Sequence, residues 1–347
     1  MNSPGPRFAG RVVAWQQVHG RHDLPWQNTQ DPYRVWLSEV MLQQTQVATV
    51  IGYFQRFLAR FPDVQALAQA SEDAVMGLWS GLGYYSRARN LHRCAIEVVQ
   101  RWGGEFPRDA QSLATLPGIG RSTAAAIASL CFGERVAILD ANVRRVLTRV
   151  LGFDGDLATQ AGQLQLWAAA TDLLPRRALA QAMPRYTQGM MDLGATVCLP
   201  RQPACDRCPV RTECVARAQG RPQPYPVRSR KTRRSAQSVW LLWARCERDA
   251  VWLQRRPSPG VWGGLHCLPW FDSREALEAR VPQAYRAALR DEPVFTHVLT
   301  HKDLHLHPVR IDLPQNALSL SEGDWVGAHA WPQLGLPAPV RRILLQA

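Results

Sequence analysis

The 347-residue chain reads as multidomain: an all-α domain over residues 1–220, a basic, proline-rich linker over 221–237, and an α+β domain over 238–347. Three observations predict this division. Apolar residues recur at helical spacing from residue 32 to about 218, prolines and arginines then replace them, and β-rich apolar runs follow. The length also exceeds what one ordinary core fills.

In the first domain Trp36, Val40, Val47, Val50, Ile51, Phe54, Phe57, Leu58 and Phe61 keep a helical period. Pro62, Gly81, Gly83, Gly103, Gly104, Pro107, Pro117, Gly118 and Gly120 interrupt it, so the helices are short and tightly connected. The tract Arg221-Pro-Gln-Pro-Tyr-Pro is extended and cannot bury a core. Arg228, Arg230, Lys231, Arg233 and Arg234 then set five positive charges in seven residues, a run suited to phosphate or to plain solvation. Ser238–Ala244 and Ala250–Arg256 read as strands joined by a polar turn at Glu247–Asp249. A Gly/Pro-rich loop over 257–269, a helical stretch near 273–289 and strands near 294–312 complete the second domain.

A hydrophobic content of 46% is that of a folded protein. No apolar run reaches membrane-span length, and the first thirty residues carry Arg7, Arg11 and Arg21 without a secretory apolar core, so a cytoplasmic location and no membrane partner are expected. The net charge of +13 points to a polyanion, nucleic acid foremost, because basic surface releases counterions from phosphates. Ribosomal association or a generally arginine-rich lineage gives the same charge.

Cys198, Cys205, Cys208 and Cys214 form C-x6-C-x2-C-x5-C within seventeen residues, a full four-thiolate set for a [4Fe–4S] cluster or zinc. Zinc knuckles use two short C-x2–4-C pairs and only Cys205 and Cys208 form one, which favours iron–sulfur; two disulfides suit an oxidising compartment that nothing here indicates. Cys94, Cys131, Cys246 and Cys267 lie scattered and read as buried thiols. Leu116-Pro-Gly-Ile-Gly-Arg-Ser-Thr, between helical stretches, resembles a helix–hairpin–helix element over about 112–132. Gly118 and Gly120 let the backbone turn and offer amides at a helix start to a phosphate, although an ordinary tight turn has the same pattern. Asp140, before the amphipathic run Ala141-Asn142-Val-Arg144-Arg145, stands where a helix N-cap belongs. Glu39 has apolar neighbours in Val35, Trp36, Val40 and Met41, and desolvation keeps such a carboxyl protonated.

Hairpin, aspartate and cysteine set, in this order and spacing, resemble the helix–hairpin–helix DNA glycosylases with an iron–sulfur cluster. The likeness sharpens at Leu24-Pro-Trp26-Gln, at Pro32–Val47 and at Gly81-Leu82-Gly-Tyr84-Tyr-Ser-Arg-Ala-Arg-Asn, which are similar to the MutY family of adenine DNA glycosylases over essentially the whole chain. The resemblance implies a monomeric, nucleoid-associated hydrolase that flips out and releases adenine mispaired with 8-oxoguanine or guanine in duplex DNA. Glu39 then protonates adenine N7 and later helps activate water, while Asp140 stabilises the oxocarbenium-like sugar electrostatically or through a transient adduct. Asn142 supports Asp140, Asp192 belongs with the adenine pocket, and Trp26 is among the substrate- or DNA-binding residues. Gln44, Leu82 and Tyr84 match wedge and intercalating positions, and Thr45 a contact to the oxidised guanine. Asn142 and Asp192 as plain structural hydrogen-bonders, and Leu82 and Tyr84 as loop residues packing on a core, are the alternatives.

Ser122 stands where endonuclease-III-type relatives carry a nucleophilic lysine, so a glycosylase without efficient lyase chemistry is expected. Arg255–Pro269 resembles the family's Nudix-like, 8-oxoguanine-recognising domain, without a hydrolase site, because Glu275, Glu278 and Glu292 are too widely spaced for Mg²⁺. Leu299-Thr300-His301 matches the family's Phe-Ser-His lesion-reading motif with Thr300 and His301 keeping hydroxyl and imidazole; Phe295-Thr296-His297 is a competing register. His305 and His307 alternate as strand residues do and have no third ligand. Two rivals stand beside this reading: an endonuclease-III-like glycosylase for oxidised pyrimidines, and a non-catalytic iron–sulfur DNA-binding protein. Ser122 argues against the first and the carboxyls at 39 and 140 against the second.

Overall fold

The computed structural model describes residues 7–229, 234–247, 249–318, 320 and 322–346. Contacts divide the chain into one unit of Met1–Ala68 with Arg93–Lys231 and another of Gln69–His92 with Thr232–Ala347. The helices of the first two hundred residues are α1 (Phe8–His19), α2 (Pro32–Leu42), α3 (Val47–Arg60), α4 (Val64–Gln69), α5 (Glu72–Trp79), α6 (Ser86–Trp102), α7 (Ala110–Leu113), α8 (Arg121–Phe132), α9 (Ala141–Leu151), α10 (Gln160–Asp172) and α11 (Leu179–Thr196), with α12 (Val215–Ala218) after the cysteine loop.

Local signals set the boundaries. Asp31 caps α2 by accepting from Tyr33 N at 2.9 Å, with Pro32 in the first turn, where its missing N–H costs nothing. Gly133 (φ 69°) and Gly152 (φ 59°) end α8 and α9 in the left-handed conformation. Helix α1 precedes the expected helical region, and its apolar pattern is thin because Phe8, Val12 and Gln16 are its buried residues. It packs on α11 so closely that a Cβ on Gly189 would lie 2.9 Å from Val12 Cγ1. The core of this unit gathers Phe8, Val143, Leu147, Leu166, Met190 and Leu193, with Cys198, Cys208 and Cys214 packed against it.

The proline tract rests on the first unit. Leu157 N donates to Val227 O at 3.1 Å, and Ser229 Oγ to Asp156 at 2.5 Å. Arg230, Lys231 and Arg233 of the basic run lie outside the described residues.

The second unit is built on a mixed sheet ordered β3 (His266–Cys267), β2 (Val251–Arg255), β1 (Ser235–Arg245), β7 (Lys302–Asp312) and β5 (Arg290–Asp291). Strand β4 (Trp270–Phe271) also pairs with β1, β6 (Phe295–Val298) with β7, and β8 (Asp324–Val326) with β2. β1 and β7 run parallel from Ser235↔Lys302 to Arg245↔Asp312, which starts β1 three residues before the expected Ser238. Val239 and the run Leu241–Ala244 are buried, the continuous apolar pattern of a central strand. The helical stretch near 273–289 breaks at Pro282 into α13 (Arg274–Glu278) and a 3₁₀ turn (Gln283–Ala288). A C-terminal helix, α14 (Ala338–Leu344), was not expected. Gln69–His92 group with this unit and not with the helical domain drawn from the sequence, because small residues let the chains meet: a Cβ on Gly77 would collide with Gln333 O, and one on Gly335 with Met76. Among the described residues no helix is long and apolar enough to cross a membrane.

Candidate active site

Two carboxyls of the first unit are near enough for the charge of one to act on the other, Glu39 on α2 and Asp140 at the start of α9. Both are half-buried, and desolvation pushes both pKa values up. What each receives in return separates them. Asp140 accepts from Val143 N at 2.6 Å as the N-cap of α9 and has Arg145 and Arg144 nearby, all of which favour its charged form. Glu39 has, besides burial, only the negative charge of Asp140, and rises to about 7. Burial thus raises both, but only Asp140 has opposing contacts that favour its charged form. Asp140 is therefore both the expected cap and half of an electrostatic pair.

Asn142 Oδ1 accepts from Arg145 Nη2 at 2.7 Å, and the same nitrogen donates to Gly194 O at 2.7 Å. Arg145 Nε reaches Cys198 O at 2.8 Å, so one guanidinium links the turn carrying Asp140, helix α11 and the cysteine loop.

A cavity of about 470 Å³ opens in the same unit. Its wall includes Arg21, Trp26, Gln27, Leu130, Gln188 and Val35, the last one helical turn before Glu39 on the same face of α2. Its size is that of a small-ligand site. Trp26 is fixed edge-to-face on Phe54, with centroids 5.4 Å apart. Asp192 is fully buried and stands behind this wall: it accepts from Arg21 N at 3.0 Å, Arg21 Nε at 2.7 Å and Gln188 Nε2 at 2.9 Å, and so fixes two wall residues.

The sequence Leu116–Gly120 forms the expected turn, with Gly118 at φ 76° and Gly120 as the N-cap of α8. No side chain caps α8, and the space where a Gly120 Cβ would stand is open, which leaves first-turn amides for an anion. Ser122 Oγ accepts from Leu139 N at 3.1 Å. Gln44 is exposed, with φ 58°, a conformation costly for a residue with a Cβ. Thr45 beside it is half-buried, its Oγ1 donating to Gln43 O at 3.4 Å.

Cys198, Cys205, Cys208 and Cys214 line one cavity together with Arg149, Arg211 and Arg217. Arg149 is buried, donating to Cys198 Sγ at 3.4 Å, Leu199 O at 2.6 Å, Pro200 O at 2.9 Å and Pro222 O at 3.0 Å. Burial pushes the Cys208 thiol up to about 12, and its three fellow cysteines push in the same direction. Cys94, Cys131, Cys246 and Cys267 are buried elsewhere, as expected.

In the second unit Leu82 is buried and Tyr84 exposed, on a loop where Gly81 (φ 102°), Gly83 (φ 72°) and Tyr84 (φ 48°) all take left-handed backbone. Buried Arg87 donates to Leu82 O at 3.4 Å and Gly83 O at 3.3 Å and lies 5.3 Å from the Tyr84 ring centroid. Leu299, Thr300 and His301 form the tight turn between β6 and β7, closed by Leu299 N to Lys302 O at 2.8 Å. Thr300 Oγ1 lies 2.9 Å from Tyr84 Oη. In the competing register, Thr296 is spent on His305 Nδ1 at 3.0 Å, and His297 packs against Trp262. His307 stacks on Trp240 at 4.4 Å.

Comparison with known proteins gives this geometry a family. The model for HhH-GPD superfamily base excision DNA repair proteins matches residues 37–252, and a NUDIX domain model matches 239–346. The adenine DNA glycosylase of Buchnera aphidicola subsp. Acyrthosiphon pisum (strain APS) is 34% identical over 342 residues, 97% of this chain and 96% of that one. The chain belongs to the adenine DNA glycosylase family. The Homo sapiens adenine DNA glycosylase is 45% identical over 220 residues, 60% of this chain and 39% of its own. Among solved structures, a thermostable thymine-DNA glycosylase aligns with a TM-score of 0.53 and 26% identity over 61% of this chain and 95% of its own. A non-covalent endonuclease III–DNA complex aligns at 0.50 and 21% over 61% and 94%, a likeness of fold.

This adenine DNA glycosylase is therefore a base excision repair hydrolase acting on N-glycosyl bonds. Several of its positioning residues escaped the sequence reading: Arg145, Arg149, Arg21, Gln188 and Arg87. In a chain so rich in arginine nothing distinguishes a buried guanidinium from a surface one. Gln188 carried one signal, its place four residues before Asp192 on one helix face.

Proposed function

We propose that this glycosylase hydrolyses the N-glycosidic bond of adenine mispaired with 8-oxoguanine or guanine in duplex DNA, as a monomer. The observation that carries the reading is the unequal carboxyl pair. Adenine is a poor leaving group, and Glu39, protonated near neutrality, supplies the proton that lets it depart. The sugar is left cationic, and Asp140, held charged by the Val143 amide and its arginines, stabilises it. Having lost its proton, Glu39 accepts one from the attacking water. A flipped adenine takes the cavity lined by Trp26, Arg21 and Gln188. Gln44, Thr45, Leu82 and Tyr84 contact the opened duplex, Thr300 and His301 the oxidised guanine, and the amides after Gly118 and Gly120 a phosphate. Ser122 offers no amine, so the enzyme acts on the base alone.

The donor set fits an iron–sulfur cluster. Four cysteines surround one cavity, and Arg149, Arg211 and Arg217 offset an anionic cluster. Cys198, Cys205, Cys208 and Cys214 would hold [4Fe–4S], which when bound cross-links the loop that presents Arg201, Arg207, Arg211 and Arg217 to phosphates.

Single-turnover release of adenine from 8-oxoguanine:adenine, guanine:adenine and thymine:adenine duplexes, beside a thymine-glycol duplex, tests the reading. Fast release opposite 8-oxoguanine, lost in Glu39→Gln, is expected. Cleavage of thymine glycol instead returns the chain to the endonuclease-III chemistry, and no release from any duplex favours a binding protein.

A further inference from the structure

The two elements assigned above to the opened duplex and its lesion, the Gly81–Tyr84 loop and the Leu299–His301 turn, lie far apart in sequence but within one unit. The C-terminal helix α14 touches the supports of both. Arg341 Nε donates to Ser80 Oγ at 3.1 Å, and its Nη2 to Pro332 O at 3.0 Å and Leu334 O at 3.1 Å. Ser80 Oγ passes on to Leu336 O at 2.9 Å, an oxygen that also accepts from Tyr85 Oη at 2.8 Å; Tyr85 Oη in turn accepts from Gly81 N at 3.2 Å. A chain of hydrogen bonds thus runs from α14 into the first residue of the left-handed loop. The next residue of α14, Arg342, lies 4.0 Å from the ring centroid of Phe295, the first residue of β6, whose far end enters the Leu299–His301 turn. The Tyr84–Thr300 contact joins the two supported tips.

We propose that α14 is a brace that holds the intercalating loop and the lesion-reading turn in one fixed register, with Arg341 and Arg342 as positioning residues acting through Ser80 and Phe295. The loop needs such support, because Gly81, Gly83 and Tyr84 all hold left-handed backbone, and Tyr84 does so with a Cβ, at a cost in free energy that surrounding contacts must offset. The brace explains why Phe295 is spent on packing and Thr300 is presented. This inference rests on the 8-oxoguanine reading of the preceding section.

The test compares dissociation constants and single-turnover rates of the full chain for 8-oxoguanine:adenine and guanine:adenine duplexes in wild type, Arg341→Ala and Arg342→Ala, with Arg341→Lys and Arg342→Lys as second variants that keep the charge. Each alanine variant is expected to lose about tenfold of the preference for the 8-oxoguanine duplex, while release at saturating guanine:adenine DNA stays within about twofold. Amide hydrogen exchange should rise in peptides 80–86 and 295–303 together and stay unchanged in β1 and β2, which a general loss of stability would not produce. Undiminished preference with unchanged exchange at both segments in the alanine variants overturns the brace. A wild type without preference for 8-oxoguanine overturns the underlying reading, and the brace with it.

Discussion

The hydroxyl of Ser122 accepts the Leu139 backbone N–H at 3.1 Å, one residue ahead of Asp140. The first turn of the hairpin's second helix is thereby tied to the segment that carries the carboxylate proposed above to stabilise the sugar. Leu139 is buried, so Ser122→Ala leaves an unpaired amide out of reach of water, at a cost of about 1–3 kcal/mol. Urea unfolding should show that loss and single-turnover release should slow. Unchanged values in both would dissociate Ser122 from the site.

The pH profile follows from the carboxyl pair. In the proposed mechanism Glu39 must be protonated to act, so release should hold up to about pH 7 and fall roughly tenfold per unit above it. An acid limb appears where Asp140 takes up its proton, at higher pH than an ordinary aspartate because burial raises it. Stability carries the same sign. Glu39 is raised above its ordinary 4.5, so the folded state binds this proton more tightly, and stability from the group is lost as pH rises from 4.5 through about 7. Glu39→Gln removes that loss and should be more stable than wild type at pH 8, by an amount on the order of 3 kcal/mol. A wild type as stable as the variant at pH 8 would contradict a protonated Glu39.

How far the sequence alone carried the fold depended on the kind of signal. Helices with a strong apolar stripe, such as α3, and the continuous run of β1 were legible because burial writes a period into the chain. The cysteine loop and the hairpin were legible because metals and tight turns demand particular residues at fixed spacing. Helix α1, helix α14 and the grouping of residues 69–92 were not, since their places depend on close approach at Gly189, Gly77 and Gly335, where the partner is remote in sequence. Asp140 was legible as a cap from its own neighbours, whereas its pairing with Glu39 came from the resemblance, and the fold adds the burial of both and the charge of Asp140 acting on Glu39.

Gly194 permits the contact that steadies this turn. A Cβ there would lie 2.6 Å from Asn142 Cβ and 3.1 Å from Asn142 Cα, so Gly194→Ala forces α11 and the start of α9 apart. Overpacking of this kind costs about 1–3 kcal/mol. Because Arg145 bridges Gly194 O and Asn142 Oδ1, displacement should reach Asp140, and adenine release at saturating DNA should fall with little change in dissociation constant. A variant with lowered melting temperature and unchanged release would confine Gly194 to packing.

Removing a cysteine should act in the opposite order. Glu39 and Asp140 stand on α2 and α9, whereas Cys205 stands in the loop whose described ties to α9 run through Arg145 and Arg149. Cys205→Ser takes away one of the four cysteines proposed as cluster ligands, so iron per chain should fall by colorimetric assay and the cluster's visible absorbance should be lost. The buried Arg149 then loses the ordered carbonyls of Leu199 and Pro200, and an uncompensated buried cation costs several kcal/mol. Melting temperature and DNA affinity should drop first, with adenine release at saturating DNA retained within about fivefold in whatever fraction stays folded. Release falling about a hundredfold at unchanged affinity would instead draw the loop into the chemistry.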